Sequence, residues 1–142
     1  LAVKPEHSAN LDVEIEIATA IYRQLATGVW TNGAVSRVVT GTDGSTKTIR
    51  FAYASTVAVN VVIVLTMATG FLVAEAIAAL TTSVTAYFAG LPVGSAARRL
   101  EVFGLIDAVP GVVAATLTLN GGGVDVVPTL AQKLTLGTLT IT

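Results

Sequence analysis

The sequence has no cysteine and a single histidine. The first absence excludes a disulfide framework, a thiolate metal centre and a cysteine nucleophile. The second excludes any two-histidine metal site built from one chain. Charge is also scarce: Asp, Glu, Lys and Arg make up 12% of the 142 residues, about half the share of roughly 25% in ordinary soluble proteins. With Lys+Arg 8 against Asp+Glu 9, the formal net charge is −1. That lacks the cationic surplus with which a nucleic-acid binder neutralises phosphates. Aromatics are few, at 6%, with one Trp. The low hydrophobicity and high net charge of a disordered chain are missing as well, because hydrophobic residues make up 53%.

What is present is a chain rich in Ala, Val and Thr, long enough for one domain or two small ones. A protein of this size buries roughly two-thirds of its unfolded surface. Its few charges leave two ways to make a surface: cover it with Thr, Ser, Gly and Ala, or cover it with partners. The opening LAVKPEHSAN has no apolar core of the kind a secretory signal carries. The chain starts at Leu1 without Met, and we expect it to be a piece of a longer protein.

The longest apolar run, residues 57–80, has the length of a membrane span. Asn60 and Glu75 lie inside it, and the nearest cations, Arg50 and Arg98, do not flank it closely. An acid in the hydrocarbon core costs roughly 2.5–3.5 kcal/mol even on lenient scales. Its composition also changes at Gly70, from β-branched to Ala-rich. The expectation is a buried strand followed by a core helix, and no span.

Asn10 or Asp12 is placed to cap a helix running to about Ala26, with Val13, Ile17, Ile21 and Leu25 on one face and Gly28 as its stop. Residues 34–40 and 46–53 read as strands joined by Gly41-Thr42-Asp43-Gly44-Ser45, an Asp-Gly hairpin signal. Arg37, Lys47 and Arg50 are expected to keep one face of that hairpin wet. Residues 57–66 form the strongest strand, and Gly70 opens a helix to about Ala89. Its expected apolar stripe is Val73, Ile77, Leu80, Val84, Tyr87 and Leu91. Ser95 can cap a second helix over 96–108, with Leu100, Phe103 and Ile106 facing inward and Pro110-Gly111 as its end. Residues 112–119 read as a strand, 124–127 as a segment that resumes the sheet, and 135–142 as a final strand.

The pattern predicts an α+β chain: an N-terminal helix plus β-hairpin, then a small α/β sandwich with two helices packed on one face of a mixed sheet. The expected division is 1–54, the end of a central domain, and 55–142, a C-terminal sandwich domain, with the join near Ala54-Ser55.

Gly41 to Thr48 is superficially like a phosphate-binding loop, but Thr46 stands where the second Gly is needed and the segment joins two strands. His7 has Glu6 beside it in the polar start, and no His follows any Ser that it would activate. Glu14 and Glu16, two residues apart, read as helix-start charges on different faces, Asp43 as turn chemistry, and Asp107 and Asp125 as residues without an evident partner. No catalytic, cofactor or metal residue is assigned. Arg98-Arg99 opens a helix, where cations are mildly unfavourable, so an acidic neighbour such as Glu101 or an interface is expected to compensate. Trp30 reads either as a packing anchor between helix and hairpin or as an interface residue. Trp30, Arg98 and Arg99 are the candidate interface residues.

Several segments carry a family likeness. IATAIYRQLATGVWTNGAV, followed by DGSTKTIRFAYAS and a Val-rich strand, resembles the baseplate J-like proteins of contractile phage tails. So does AYFAGLPVGSAARRLEVFGLIDAVPGVVAATLTLN, with its Leu-Pro-x-Gly and Val-Pro-Gly-Val elements around a short helix, and so does the terminal LGTLTIT. The family often has Pro at the position of Ala54 or Ser55, and an aromatic or polar pair in place of Ala96-Ala97. The resemblance covers nearly the whole chain and implies the C-terminal portion of a longer subunit. It implies a structural wedge component that assembles with itself and other baseplate subunits around the tail hub. It implies location in the virion tail, and in the host cytoplasm during assembly. No enzyme activity, cofactor, nucleic acid, membrane span or small-molecule substrate attaches to this portion. A phage-derived contractile injection system, or a prophage remnant in place of an infectious virion, is the nearest alternative. A secreted adhesin or carbohydrate-binding module is a more distant one, and an enzyme fragment completed by a partner is the third.

Overall fold

Asn10 starts the first helix as its short polar side chain allows: its Oδ1 accepts the Asp12 N–H at 3.0 Å. In this computed structural model, which describes residues 2–3, 10–25 and 29–142, helix α1 is Leu11–Gln24. The expected stop, Gly28, lies outside the described residues. Ala18 is fully buried, and Ile17, Ile21 and Leu25 pack beside it against Val39, Ile49 and Phe51 of a hairpin.

That hairpin is β2 (Val35–Thr40) and β3 (Thr46–Tyr53), paired antiparallel from Thr40↔Thr46 to Val35↔Phe51. Its turn works as the Asp-Gly signal requires. Gly44 takes φ +78°, and Asp43 Oδ1 accepts the Ser45 N–H at 3.0 Å and its hydroxyl at 2.7 Å. A two-residue strand, β1 (Ala2–Val3), runs parallel to β3 on its other edge, opposite Ala52 and Tyr53. The three hairpin cations do not share a face. Arg37 is in register with Ile49 and Lys47 with Val39, on the side of α1, whereas Arg50 lies opposite Ser36 on the outer side. Residues an even number apart on a strand share a face, so Arg37 and Lys47 fall with the apolar row.

β3 ends at Tyr53, Ala54 is buried, and β4 (Ser55–Met67) begins at once. β4 is the centre of a second sheet, antiparallel to β5 (Val112–Leu119) and parallel to β6 (Gln132–Ile141). Helices α2 (Val73–Gly90) and α3 (Arg99–Asp107) cover one face of it. Val59, Val61 and Ile63 of β4 are fully buried beneath them, while Val62 and Val64 stand exposed on the other face. Among the described residues the chain is therefore α+β, with three helices and two three-stranded sheets. Each sheet has its own apolar cluster.

Asn60, on the exposed face of β4, interrupts the apolar run for a structural reason. β6 carries one extra residue opposite it, a bulge between the pairs Val59↔Leu136 and Val61↔Leu139. Asn60 Oδ1 fills the break by accepting the Thr138 N–H at 2.9 Å. On its other side the Asn60 N–H donates to Asn120 Oδ1 at 2.8 Å, and Asn60 O accepts the Asn120 N–H at 2.8 Å. Gly137 sits over this amide, so a Cβ there would overlap Asn60 Oδ1.

Four expectations are corrected. The buried row of α2 is Ala76, Leu80, Val84 and Phe88, continued by Leu91, with Val73 half exposed and Tyr87 at the edge. Phe88 can be enclosed without a partner, whereas the Tyr87 hydroxyl needs one, which turns the helix by one position. α3 starts at Arg99 and Ser95 caps nothing, because Ala97 is still extended and bridges Val126 through bonds of 2.9 and 3.1 Å. The shift also turns its inward face: Val102 and Ile106 are buried and Leu100 is 81% exposed. Residues 124–127 do not rejoin the sheet, since Val126 pairs only with Ala97. The apolar run 57–80 is, as expected, a strand followed by a helix, broken where Gly70 takes φ +91°. Among the described residues, α2 alone has the length and apolarity of a span, with 18 residues.

Candidate interaction site

Trp30 is 94% exposed, so it anchors nothing in this fold. The segment that carries it lies along the edge of β3 and is held there by three constraints. Thr31 Oγ1 accepts the Arg50 N–H at 2.8 Å. Lys47 Nζ donates to Val29 O at 3.1 Å. Gly33 lies so close to β3 that a Cβ would fall on the Phe51 backbone. Val29, Trp30 and Thr31 on one side and Thr46, Lys47 and Thr48 on the other line an open groove of about 340 Å³. Of the two readings of this Trp, the packing anchor between helix and hairpin is overturned by its exposure, and the interface reading is left.

Arg98 and Arg99 sit at the start of α3 and have different roles. The Arg98 N–H donates to the Tyr87 hydroxyl at 3.0 Å, and that hydroxyl donates to Glu101 Oε2 at 2.7 Å. Burial first, then the bond to Glu101, pushes the Tyr87 pKa up to about 12, against an opposing effect of the Arg98 N–H. Arg99 is tied into the fold. Its N–H donates to Asp125 Oδ1 at 2.8 Å, its Nε donates to Leu117 O at 3.2 Å, and its guanidinium lies 4.6 Å from the Phe103 ring centre. Asp125, which had no evident partner in the sequence, is the acid that satisfies the helix start from a distant loop. The Arg98 side chain is exposed and lines a second hollow with Glu101, Pro92 and Ser95.

A third cluster was not foreseen. Glu14 is turned into the α1–hairpin interface, 6% exposed, where it is ion-paired with Arg37 and accepts the Tyr53 hydroxyl at 3.2 Å. Burial, and then the Glu14 carboxylate, raise the Tyr53 pKa. The available signal was position: Glu14 lies four residues before Ala18 and so on the buried row of α1, while Glu16 is exposed.

Asp43, Glu14, Glu101 and Asp125 thus serve a turn, an ion pair, a tyrosine and a helix start. Among the described residues, no three His, Asp or Glu side chains come together as metal ligands. His7 and Glu6 lie outside the described residues. No protein-family model matches the chain, and no curated protein matches it.

Proposed function

We propose that the chain is a structural subunit of a contractile-tail baseplate, the C-terminal portion of a baseplate J-like wedge protein, working through contacts with other baseplate subunits. The resemblance in the LPVG and VPGV segments supplies the family. The observation that carries an assembly role is the set of large apolar side chains left in the open. Trp30 is 94% exposed, Leu130 88% and Leu100 81%. Leu100 is on the helix start that Asp125 holds, next to Arg99, and Leu130 lies beside Gly94, four residues before Arg98. Large side chains exposed in groups mark protein-binding surfaces, and aromatic and arginine residues are the usual anchors there. Copies of the chain, together with unlike subunits, would cover these side chains.

Antibody labelling of tail particles purified from an induced culture tests this reading. Label at the tip of the tail supports it. Label at the sheath, at the capsid or on no particle refutes it. Particles with a labelled tip and no capsid would identify an injection system.

A further inference from the structure

The groove beside Trp30 borders an unfinished strand edge. Among the described residues, β1 covers β3 only at Ala52 and Tyr53. At Arg50 the N–H turns away from β2 and is taken by Thr31 Oγ1. Backbone groups two residues apart on a strand point to the same side, so Thr48 and Thr46 also direct their N–H and C=O away from β2, into the groove. Among the described residues no strand pairs with that stretch. An open strand edge selects another extended backbone as its partner.

The charge at the groove selects further. Lys47 lines it on the α1 side, where its Nζ donates to Val29 O, and Arg50 follows on the same strand with its side chain on the outer side; neither is in an ion pair among the described residues. The nearest acid along the strand, Asp43, is turned into the hairpin loop, where its Oδ1 is bonded to Ser45. A second copy is a poor occupant. Two-fold pairing of β3 with β3 would bring the Lys47 and Arg50 of one copy beside those of the other.

We propose that the β3 edge from Thr46 to Thr48, roofed by Trp30, is a docking site for an extended acidic segment of a partner protein, which adds to the hairpin as a strand and packs an apolar side chain on the indole. The inference rests on the groove alone and holds whether or not the chain belongs to a baseplate.

Trp30 is the sole Trp, so its fluorescence reports the groove directly. The probe is a blocked peptide of repeated Glu-Glu-Val-Val, which sets acids on both faces of an added strand, titrated into the whole chain at low salt. The expected result is a saturable blue shift that weakens as salt rises. The same peptide N-methylated at alternate amides, and its Lys-Val counterpart, should bind at least tenfold more weakly. The charge reversal Lys47→Glu with Arg50→Glu should cost the acidic peptide about five- to tenfold in affinity and favour the Lys-Val peptide. If that variant loses its native circular dichroism, Arg50→Gln alone should still cost about twofold, because the Arg50 contact to Thr31 uses the backbone. No spectral change up to millimolar peptide overturns the proposal. So does equal binding of the N-methylated or Lys-Val peptide, and so does a blue shift produced by raising protein concentration alone, which would make a second copy the occupant.

Discussion

Leu80→Ala, compared with Leu100→Ala, tests where the helices of the sandwich point. Leu80 is fully buried, in the cluster with Val84, Phe88 and the β4 row Val59, Val61 and Ile63. The substitution removes three carbon groups, at about 0.8 kcal/mol each, so the transfer loss is about 2.4 kcal/mol. A rigid surround of helix and sheet relaxes little, and the cavity left behind raises the total to about 3–5 kcal/mol. Against a stability of about 5–15 kcal/mol, that is a loss of a fifth or more, and a fall in Tm of about 6–20 °C for a chain of this size. Leu100 is 81% exposed, so its truncation should stay within about 0.5 kcal/mol. Urea unfolding followed by far-ultraviolet circular dichroism is the right assay, because Trp30 stands outside both cores and its fluorescence does not report them. A cost below about 0.5 kcal/mol at Leu80, or above about 1.5 kcal/mol at Leu100, would mean that the helix faces are misassigned.

Glu14→Gln and Arg37→Met should each destabilise the chain by about 1–3 kcal/mol, since each strands a partner, and the double variant should cost less than the sum of the two; equilibrium denaturation of the three variants reads the coupling. Gly137→Ala should cost about 1–3 kcal/mol because its Cβ overlaps the Asn60 amide, and measured in an Asn60→Ala background that cost should shrink; an undiminished cost would locate the conflict in the Val59 carbonyl instead. Tyr87 has a folded pKa of about 12 against 10.0 for the free group, so its contribution is fully present below pH 10 and is lost as pH rises through 12. Tyr87→Phe should flatten the fall in stability across that window, leaving the part due to Tyr53, which is shifted in the same direction; identical alkaline unfolding curves for the two proteins would refute the assignment.

The sequence was most legible where one residue type has one physical use. Asn10 as a cap, Asp43-Gly44 as a hairpin turn and the Gly70 break all stand where their chemistry puts them. Faces were less legible than elements. α2 carries apolar residues around most of its circumference, so Val73, Ile77, Leu80, Val84 and Tyr87 form as good a stripe on paper as Ala76, Leu80, Val84 and Phe88 do in the fold. A periodicity argument needs a polar side to choose between them, and Ala supplies none. The start of α3 was misplaced for a different reason. The acid that satisfies it, Asp125, is remote in sequence, and the Ala97–Val126 bridge that delays it depends on a loop with no pattern of its own. The packing-anchor reading of Trp30 failed in the same way: residue type fixes what an indole can do, while its environment is set by how the 29–33 segment lies along β3.

The scarcity of charge now has an explanation that does not require partners. Of the two surfaces the composition allowed, much of what is exposed is the first. On α2, Thr81, Thr82, Ser83 and Thr85 return their hydroxyls to carbonyls four residues back, at 2.6–3.1 Å, between exposed Ala74, Ala78 and Ala86. On the open face of the second sheet, exposed Val62 is flanked by Thr118 and Thr140, and exposed Val64 faces Thr116. Threonine serves both places, since its methyl packs on the pleat and its hydroxyl is satisfied by the backbone or by water. Low charge therefore carries little weight for an assembly role, because a threonine-coated monomer would have it too. The weight passes to residues that threonine could have replaced and did not. An indole that is 94% exposed at an open strand edge, and Leu100 and Leu130 beside the Arg98 segment, contribute nothing to either core. If Trp30→Thr, Leu100→Thr and Leu130→Thr together leave stability unchanged while removing every detectable association, those side chains exist for contact; if the triple variant loses stability and associates as before, they belong to the fold.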